Sequence, residues 1–221
     1  MDMPAPQTLR DLYVTARDGD HVPTQASLRE FQGIVGVLIY VLPCVRVDVA
    51  QPIGMLSRAL TFPTPELLAV AYDVLVYLAQ TADVGVVYDG NAPDAGVLVA
   101  YCDSDWPEGH GTTGYAIVLA GAVIGYASKR QPIIAMSSTE AEIVAASACA
   151  TEIVFFRSLL AEMGLPQDDP TKLHIDNQSC ILLSRDRKSC HKSRHGSTAA
   201  SSKCASTCSR ARSKPCISRP S

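Results

Sequence analysis

The sequence has little that would anchor it to a membrane or send it out of a cell. No run of about 18 apolar residues escapes interruption by charge, the length a bilayer-spanning helix needs, so no membrane partner is expected. The N-terminus, "MDMPAPQTLRDLYVTARDGD", lacks a basic stretch followed by an apolar core, which excludes a secretory signal of the usual kind. An intracellular protein, cytoplasmic or nuclear and not secreted, is the expectation. There is also no tight CxxC pair among the eight cysteines, so neither a disulfide framework nor a compact zinc site is indicated. Cys44, Cys102, Cys149 and Cys180 stand singly among apolar neighbours, as buried thiols do. Acid is missing from one end altogether: nothing after Asp186 is Asp or Glu.

That last absence exposes a charge split. The net charge of -3 combines about +9 over residues 185–221 with about -12 over the rest. A basic tail fits either a nucleic-acid contact or a solvated end. With 221 residues, 47% of them hydrophobic and 19% charged, the chain suits one globular domain, or a domain with a subdomain.

Residues 1–26 are polar and proline-bearing, and predict a poorly ordered N-terminus. Ser27 and Glu30 have capping-box spacing ahead of "LREFQGIVGVLIYVL", predicting a helix over 28–42 that Pro43 ends. "VDVAQPIGMLSRAL" predicts a second helix after Pro52. Thr64 and Pro65 start a third, apolar nearly all round and so predicted to be buried. Residues 27–83 thus form a small helical segment.

From residue 84 the rhythm shortens. "VGVVYDG" predicts a short strand and "GVLVAYCDSD" a longer one. "GYAIVLAGAVIGYASK" predicts a hairpin turning at Ala120-Gly121. A long helix over 138–163 follows, with Ile143, Val144, Phe155, Phe156, Leu159 and Leu160 as core candidates and Gly164 as its stop. Then come a strand over 172–175 and another helix. This order predicts an α/β protein in which helices pack on a mixed sheet. Past Gly196 the pattern ends: 26 residues contain eight serines and one strong hydrophobe, Ile217, too little apolar surface to offset ordering entropy. The domain scheme is therefore 1–26 disordered, 27–83 helical, 84–195 mixed sheet and helices, and 196–221 a disordered basic tail.

Three acids occupy comparable places. Asp103 closes the longer strand, Glu142 opens the long helix, and Asp176 follows the later strand. Carboxylates so placed can converge at a sheet edge, where oxygen ligands suit Mg²⁺ or Mn²⁺. Singly, each also fits a structural role, as turn former or first-turn acid, and the residues alone leave both open.

The stretches "YCDSDW", "TTGYAIVLAGAVIGYASKRQPIIAMSSTEAEIVAASACATEIVFFRSLLAEMGLP" and "LHIDNQS" resemble the ribonuclease H region of copia-type retrotransposon Pol polyproteins. They stand in the same order and at similar spacing. "FQGIVGVLIYVLPCVRVDVAQPIGMLSRAL" and "PTPELLAVAYDVLVYLAQTADVGVVYDG" resemble the segment that joins the reverse transcriptase to that region. The resemblance covers about residues 28–195. It implies a ribonuclease H-like fold that hydrolyses the RNA strand of an RNA–DNA hybrid with two divalent ions, Mg²⁺ or Mn²⁺, and needs no small-molecule cofactor. It implies Asp103, Glu142 and Asp176 as catalytic metal ligands. Ser137, Ser138, Thr139 and Gln178 match positions that touch the hybrid, although helix capping suits these residues equally.

The chain also departs from the family pattern. Relatives continue with a further strand and a helix bearing a fourth carboxylate; here a Ser/Arg/Cys-rich run starts at Gly196, as translation in a shifted frame would produce. "VRVDVA" lacks the usual proline, and "ELLAVAYDVLVYLAQ" has no Lys or Arg. The sequence thus predicts a ribonuclease H-type enzyme impaired by loss of its C-terminal part. The alternative is an inactive remnant that at most binds nucleic acid.

Overall fold

A computed structural model of the chain describes residues 6–106, 110–185 and 216–218. They separate into two compact units, divided between Val86 and Val87.

The first unit is helical: α1 (Pro6–Asp18), α2 (Gln25–Val45), α3 (Ala50–Arg58) and α4 (Pro65–Gln80). Helix α1 lies where the sequence predicts disorder. Its Leu9 and Ala16 are buried against the core of this unit, with Leu12 and Tyr13 partly so. That i, i+3, i+4, i+7 stripe gives a short polar segment an apolar face worth docking. Helix α2 starts a turn earlier than Ser27 suggests, because the Thr24 side chain takes the cap and accepts from the Ser27 amide at 3.2 Å. Pro43 lies inside α2 rather than ending it. Phe31, Val35 and Leu38 of α2 are fully buried. Helix α4 begins as the sequence predicts, with Thr64 capping the Leu67 amide and Pro65 in the first turn. It is not buried all round: Leu67, Val70, Ala71 and Val74 face inward, while Tyr72 and Val76 are exposed. Arg46, almost wholly buried, forks onto the Asp48 carboxylate at 3.0 and 2.8 Å and donates to the Thr81 carbonyl and hydroxyl. It ties the end of α2 to the end of α4.

The second unit holds β1 (Val99–Asp105), β2 (Thr112–Leu119), β3 (Ala122–Arg130), α5 (Ser138–Glu162), β4 (Lys172–His174), α6 (Gln178–Arg185) and β5 (Cys216–Ser218). The sheet order is β3-β2-β1-β4-β5. Strands β1, β2 and β3 form an antiparallel meander, and β4 runs parallel to β1. The hairpin turns where predicted, with Ala120 and Gly121 both at positive φ (54° and 76°), the mirror-image turn that matches strand twist. Gly164, at φ 82°, stops α5 as the sequence requires.

Three expectations give way. The segment 84–90 is not a strand: Val84, Val87 and Tyr88 are exposed, and among the described residues its backbone reaches another strand region only through Asp89 N–H to the Ala120 carbonyl, besides local turns at Val84 and Asp89. It is apolar enough for a strand but has no partner edge. Cys216–Ser218, in a segment expected to lack structure, pairs in parallel with β4, since β4 otherwise leaves an open ladder. Finally, α5 buries mainly small side chains, Ala145, Ala146, Cys149 and Ala150, together with Ile153 and Leu160. Phe155 and Leu159 are exposed, while Ile143 and Phe156 pack partly on the core. An all-round apolar helix does not announce its inward face, and close approach to the sheet selects the small one.

Among the described residues two helices, Gln25–Pro43 within α2 and all of α5, are long and apolar enough to cross a bilayer, with mean hydropathy 1.2 and 1.7. The sequence count misses them because it demands complete absence of charge. In α5 the apolar character serves the sheet it covers.

Candidate metal centre

The carboxylates meet because of strand register. Parallel β1 and β4 pair Tyr101 with His174. Two residues beyond each lie Asp103 and Asp176, so both acids leave the same end of the sheet. Helix α5 lies across β1, burying Ala146 and Cys149 in the same core as Ala100 and Cys102. Glu142 sits one turn before Ala146 and so reaches that same end.

One ligand oxygen from each of Asp103, Glu142 and Asp176 lies within 4.8 Å of the others. Asp103 and Asp176 are exposed and Glu142 is buried, 5% accessible. Glu142 Oε1 accepts from the Ser104 amide at 3.1 Å and from the Ser104 hydroxyl at 2.8 Å. The same amide also donates to Asp103 Oδ1 at 2.8 Å. Among the described residues, Glu142 Oε2 is buried with no hydrogen-bond partner. No Lys or Arg pairs with the three acids among the described residues.

Burial pushes the Glu142 carboxyl above the ordinary glutamate range; the neighbouring Asp103 and Asp176 raise it further, and the Ser104 donors oppose them. Asp103 is raised as well, by desolvation first and then by Asp176 and Asp105, against the Ser104 amide. A buried carboxylate oxygen without a donor, in an all-oxygen set of like charges, fits a hard divalent cation.

The other sequence-derived residues surround this centre. Ser137 is the cap of α5, its hydroxyl accepting from the Glu140 amide at 3.2 Å, while Glu140 Oε2 accepts from the Met136 amide at 2.7 Å. Glu140 is therefore a capping acid. Ser138 lies one helical turn before Glu142, Thr139 is half-buried beside it, and Gln178 opens α6 two residues after Asp176. His174 stacks on Tyr101, centroids 4.8 Å apart.

Sequence inspection misses two supporting groups. Ser104 is one, and its only signal was a hydroxyl between two aspartates. Gln131, 1% exposed, is the other: its Nε2 donates to Thr113 Oγ1 at 3.2 Å and to the Ala141 carbonyl at 3.0 Å. Nothing local marks a Gln after Lys-Arg as buried.

A five-stranded sheet in this order, with an antiparallel meander, a parallel fourth strand and acids gathered at the β1/β4 end, is a ribonuclease H-like α/β domain. No protein-family model matches the chain. It is 32% identical over 160 residues to the retrovirus-related Pol polyprotein from transposon TNT 1-94 of Nicotiana tabacum, covering 71% of this chain and 12% of that protein. It is 35% identical over 159 residues to the Pol polyprotein from transposon RE1 of Arabidopsis thaliana, covering 70% and 11%. Among solved structures, it is similar to a foamy viral protease-reverse transcriptase in complex with RNA/DNA hybrid, at 14% identity and TM-score 0.45, over 97% of this chain and 27% of that one. The chain is homologous to a segment of copia-type retrotransposon Pol polyproteins, and spans about an eighth of the length of these plant relatives.

Proposed function

We propose that the second unit is a ribonuclease H-type endonuclease that hydrolyses the RNA strand of RNA–DNA hybrids using two divalent ions, Mg²⁺ or Mn²⁺. The single observation that carries this reading is the Asp103–Glu142–Asp176 cluster with its buried, donorless Glu142 Oε2. Asp103, Glu142 and Asp176 would hold the ions. Bound there, divalent cations supply Lewis-acid stabilisation of the phosphodiester and a more acidic attacking water. The exposed Asp103 and Asp176 leave the outer side of the centre open to the substrate phosphate, while buried Glu142 anchors the inner side. Products would carry a 3′-hydroxyl and a 5′-phosphate.

Ser137, Ser138, Thr139 and Gln178, on helix starts that flank the centre, would meet the hybrid's minor groove through hydroxyl and amide groups, reading 2′-hydroxyls and shape. The helical first unit would be the segment joining a reverse transcriptase to this nuclease. Such work places the protein in the cytoplasm or nucleus.

One observation favours a second reading, an inactive remnant that binds nucleic acid without cutting it: residues 185–221 carry ten Lys or Arg against the single acid Asp186, a charge suited to a phosphate backbone. A cleavage assay on an RNA–DNA hybrid with Mg²⁺ or Mn²⁺ separates the two. Cleavage lost in Asp103→Asn supports the nuclease. Salt-sensitive binding without cleavage supports the remnant.

A further inference from the structure

We propose that Ser104 is a positioning residue that makes buried Glu142 a one-sided ligand, turning its free oxygen toward the divalent ion. The inference rests on the metal-centre reading above and goes beyond it, to a residue that is no ligand itself.

The geometry of donors carries it. Glu142 is almost wholly buried and has two oxygens to satisfy. Both of its hydrogen bonds fall on Oε1, and both come from Ser104. The Ser104 amide is a shared donor: it lies 2.8 Å from Asp103 Oδ1 and 3.1 Å from Glu142 Oε1. The Ser104 hydroxyl, at 2.8 Å, is therefore the one undivided hold on the Glu142 carboxylate. With Oε1 pinned, the carboxylate cannot rotate freely, and Oε2 is left buried without a donor among the described residues.

Alternation along β1 explains why residue 104 can do this. Ser104 points to the α5 face, as Ala100 and Cys102 do, while Asp103 points to the other. Position 104 is thus the last residue of β1 on that face, opposite the first turns of α5. A hydroxyl there is short enough to fit under the helix and polar enough to meet an acid. Groups of this kind, which hold a ligand from behind, typically change metal affinity or activity by about 10–100-fold when removed.

The test is Mn²⁺ binding to the full chain by titration calorimetry, in the wild type, Ser104→Ala and Ser104→Thr, with apo unfolding curves alongside. Ser104→Ala keeps the backbone donor and loses only the hydroxyl; Ser104→Thr keeps both. We expect Mn²⁺ affinity to fall about 10–100-fold in Ser104→Ala, with the apo protein still unfolding cooperatively, and to recover in Ser104→Thr. On an RNA–DNA hybrid at saturating Mn²⁺, kcat should fall with KM nearly constant. Equal Mn²⁺ affinity in wild type and Ser104→Ala, or no recovery in Ser104→Thr, overturns the inference. Mn²⁺ binding that depends on the Ser104 hydroxyl, in wild-type protein that cuts no hybrid, leaves the inference standing and refutes the nuclease. Wild-type protein that binds no Mn²⁺ removes both.

Discussion

Tyr101 of β1 and His174 of β4 are register partners in a parallel pair, and their rings stack 4.8 Å apart with planes 15° off parallel. The stack sits two residues short of Asp103 on one strand and of Asp176 on the other. It thus fixes the alignment that brings two like charges to one place, against their mutual repulsion. Aromatic pairs of this kind contribute about 0.5–1.5 kcal/mol beyond area burial. Tyr101→Ala should therefore lower stability by at least that much and also weaken Mn²⁺ binding. Urea unfolding and Mn²⁺ titration check both. Unchanged metal affinity would show that register is held elsewhere.

The carboxylates make stability depend on pH in a definite direction. Glu142 and Asp103 have raised values in the folded state, so that state holds their protons longer than the unfolded chain does. Stability from these groups is present below the ordinary carboxylate range and is lost as pH rises through their raised folded values. Without divalent ions the second unit should be less stable at pH 7 than at the acid end of that window. Divalent ions, if held by the three acids, should reverse the loss, adding about 2.7 kcal/mol at a concentration 100 times Kd. Thermal unfolding with and without Mg²⁺ at both pH values tests this. Glu142→Gln should flatten the pH slope and much of the metal effect together.

Gln131 joins β3 to β2 and α5 through the Thr113 hydroxyl and the Ala141 carbonyl. Gln131→Leu fills a similar volume but leaves the Thr113 hydroxyl buried without this partner, at about 1–3 kcal/mol, while the Ala141 carbonyl keeps its bond within α5. Because Ala141 precedes Glu142, the variant should lose metal affinity as well as stability. Gln131→Asn, too short to reach both, should behave alike. Chemical denaturation together with Mn²⁺ titration measures the pair of effects.

Gly125 of β3 lies against α5 so closely that an added Cβ would meet the Phe156 ring at 2.5 Å. Gly125→Ala should destabilise the second unit by about 1–3 kcal/mol through overpacking. Phe156→Leu in the same chain should restore part of the loss, a coupling that a double-mutant cycle reads directly.

Short-range chemistry was legible in the sequence wherever one or two residues decide a conformation. Thr64-Pro65 at the head of α4, the Ala120-Gly121 turn, Ser137 with Glu140 at the head of α5 and Gly164 at its end all stand as their residue types require. Segments that depend on a distant neighbour were not legible. Residues 84–90 have strand composition and no strand to join among the described residues, whereas Cys216–Ser218, in a Ser- and Arg-rich stretch whose one strong hydrophobe is Ile217, joins β4. Helix α1 was hidden for the same reason: its polar sequence conceals a narrow stripe that only Phe31, Val35 and their neighbours make worth burying.

For the candidate centre, residue identities and spacing, with the family resemblance, single out Asp103, Glu142 and Asp176 and separate Glu142 from the capping Glu140. Tertiary structure decides what each can do. The parallel register of β1 and β4 brings two acids together, the small-residue face of α5 lets the third approach from a buried position, and Ser104 occupies one of its oxygens. Caps and turns act over three or four residues and are written locally. Convergence of like charges needs the packing energy of a whole sheet and helix to hold it, and no local pattern encodes that.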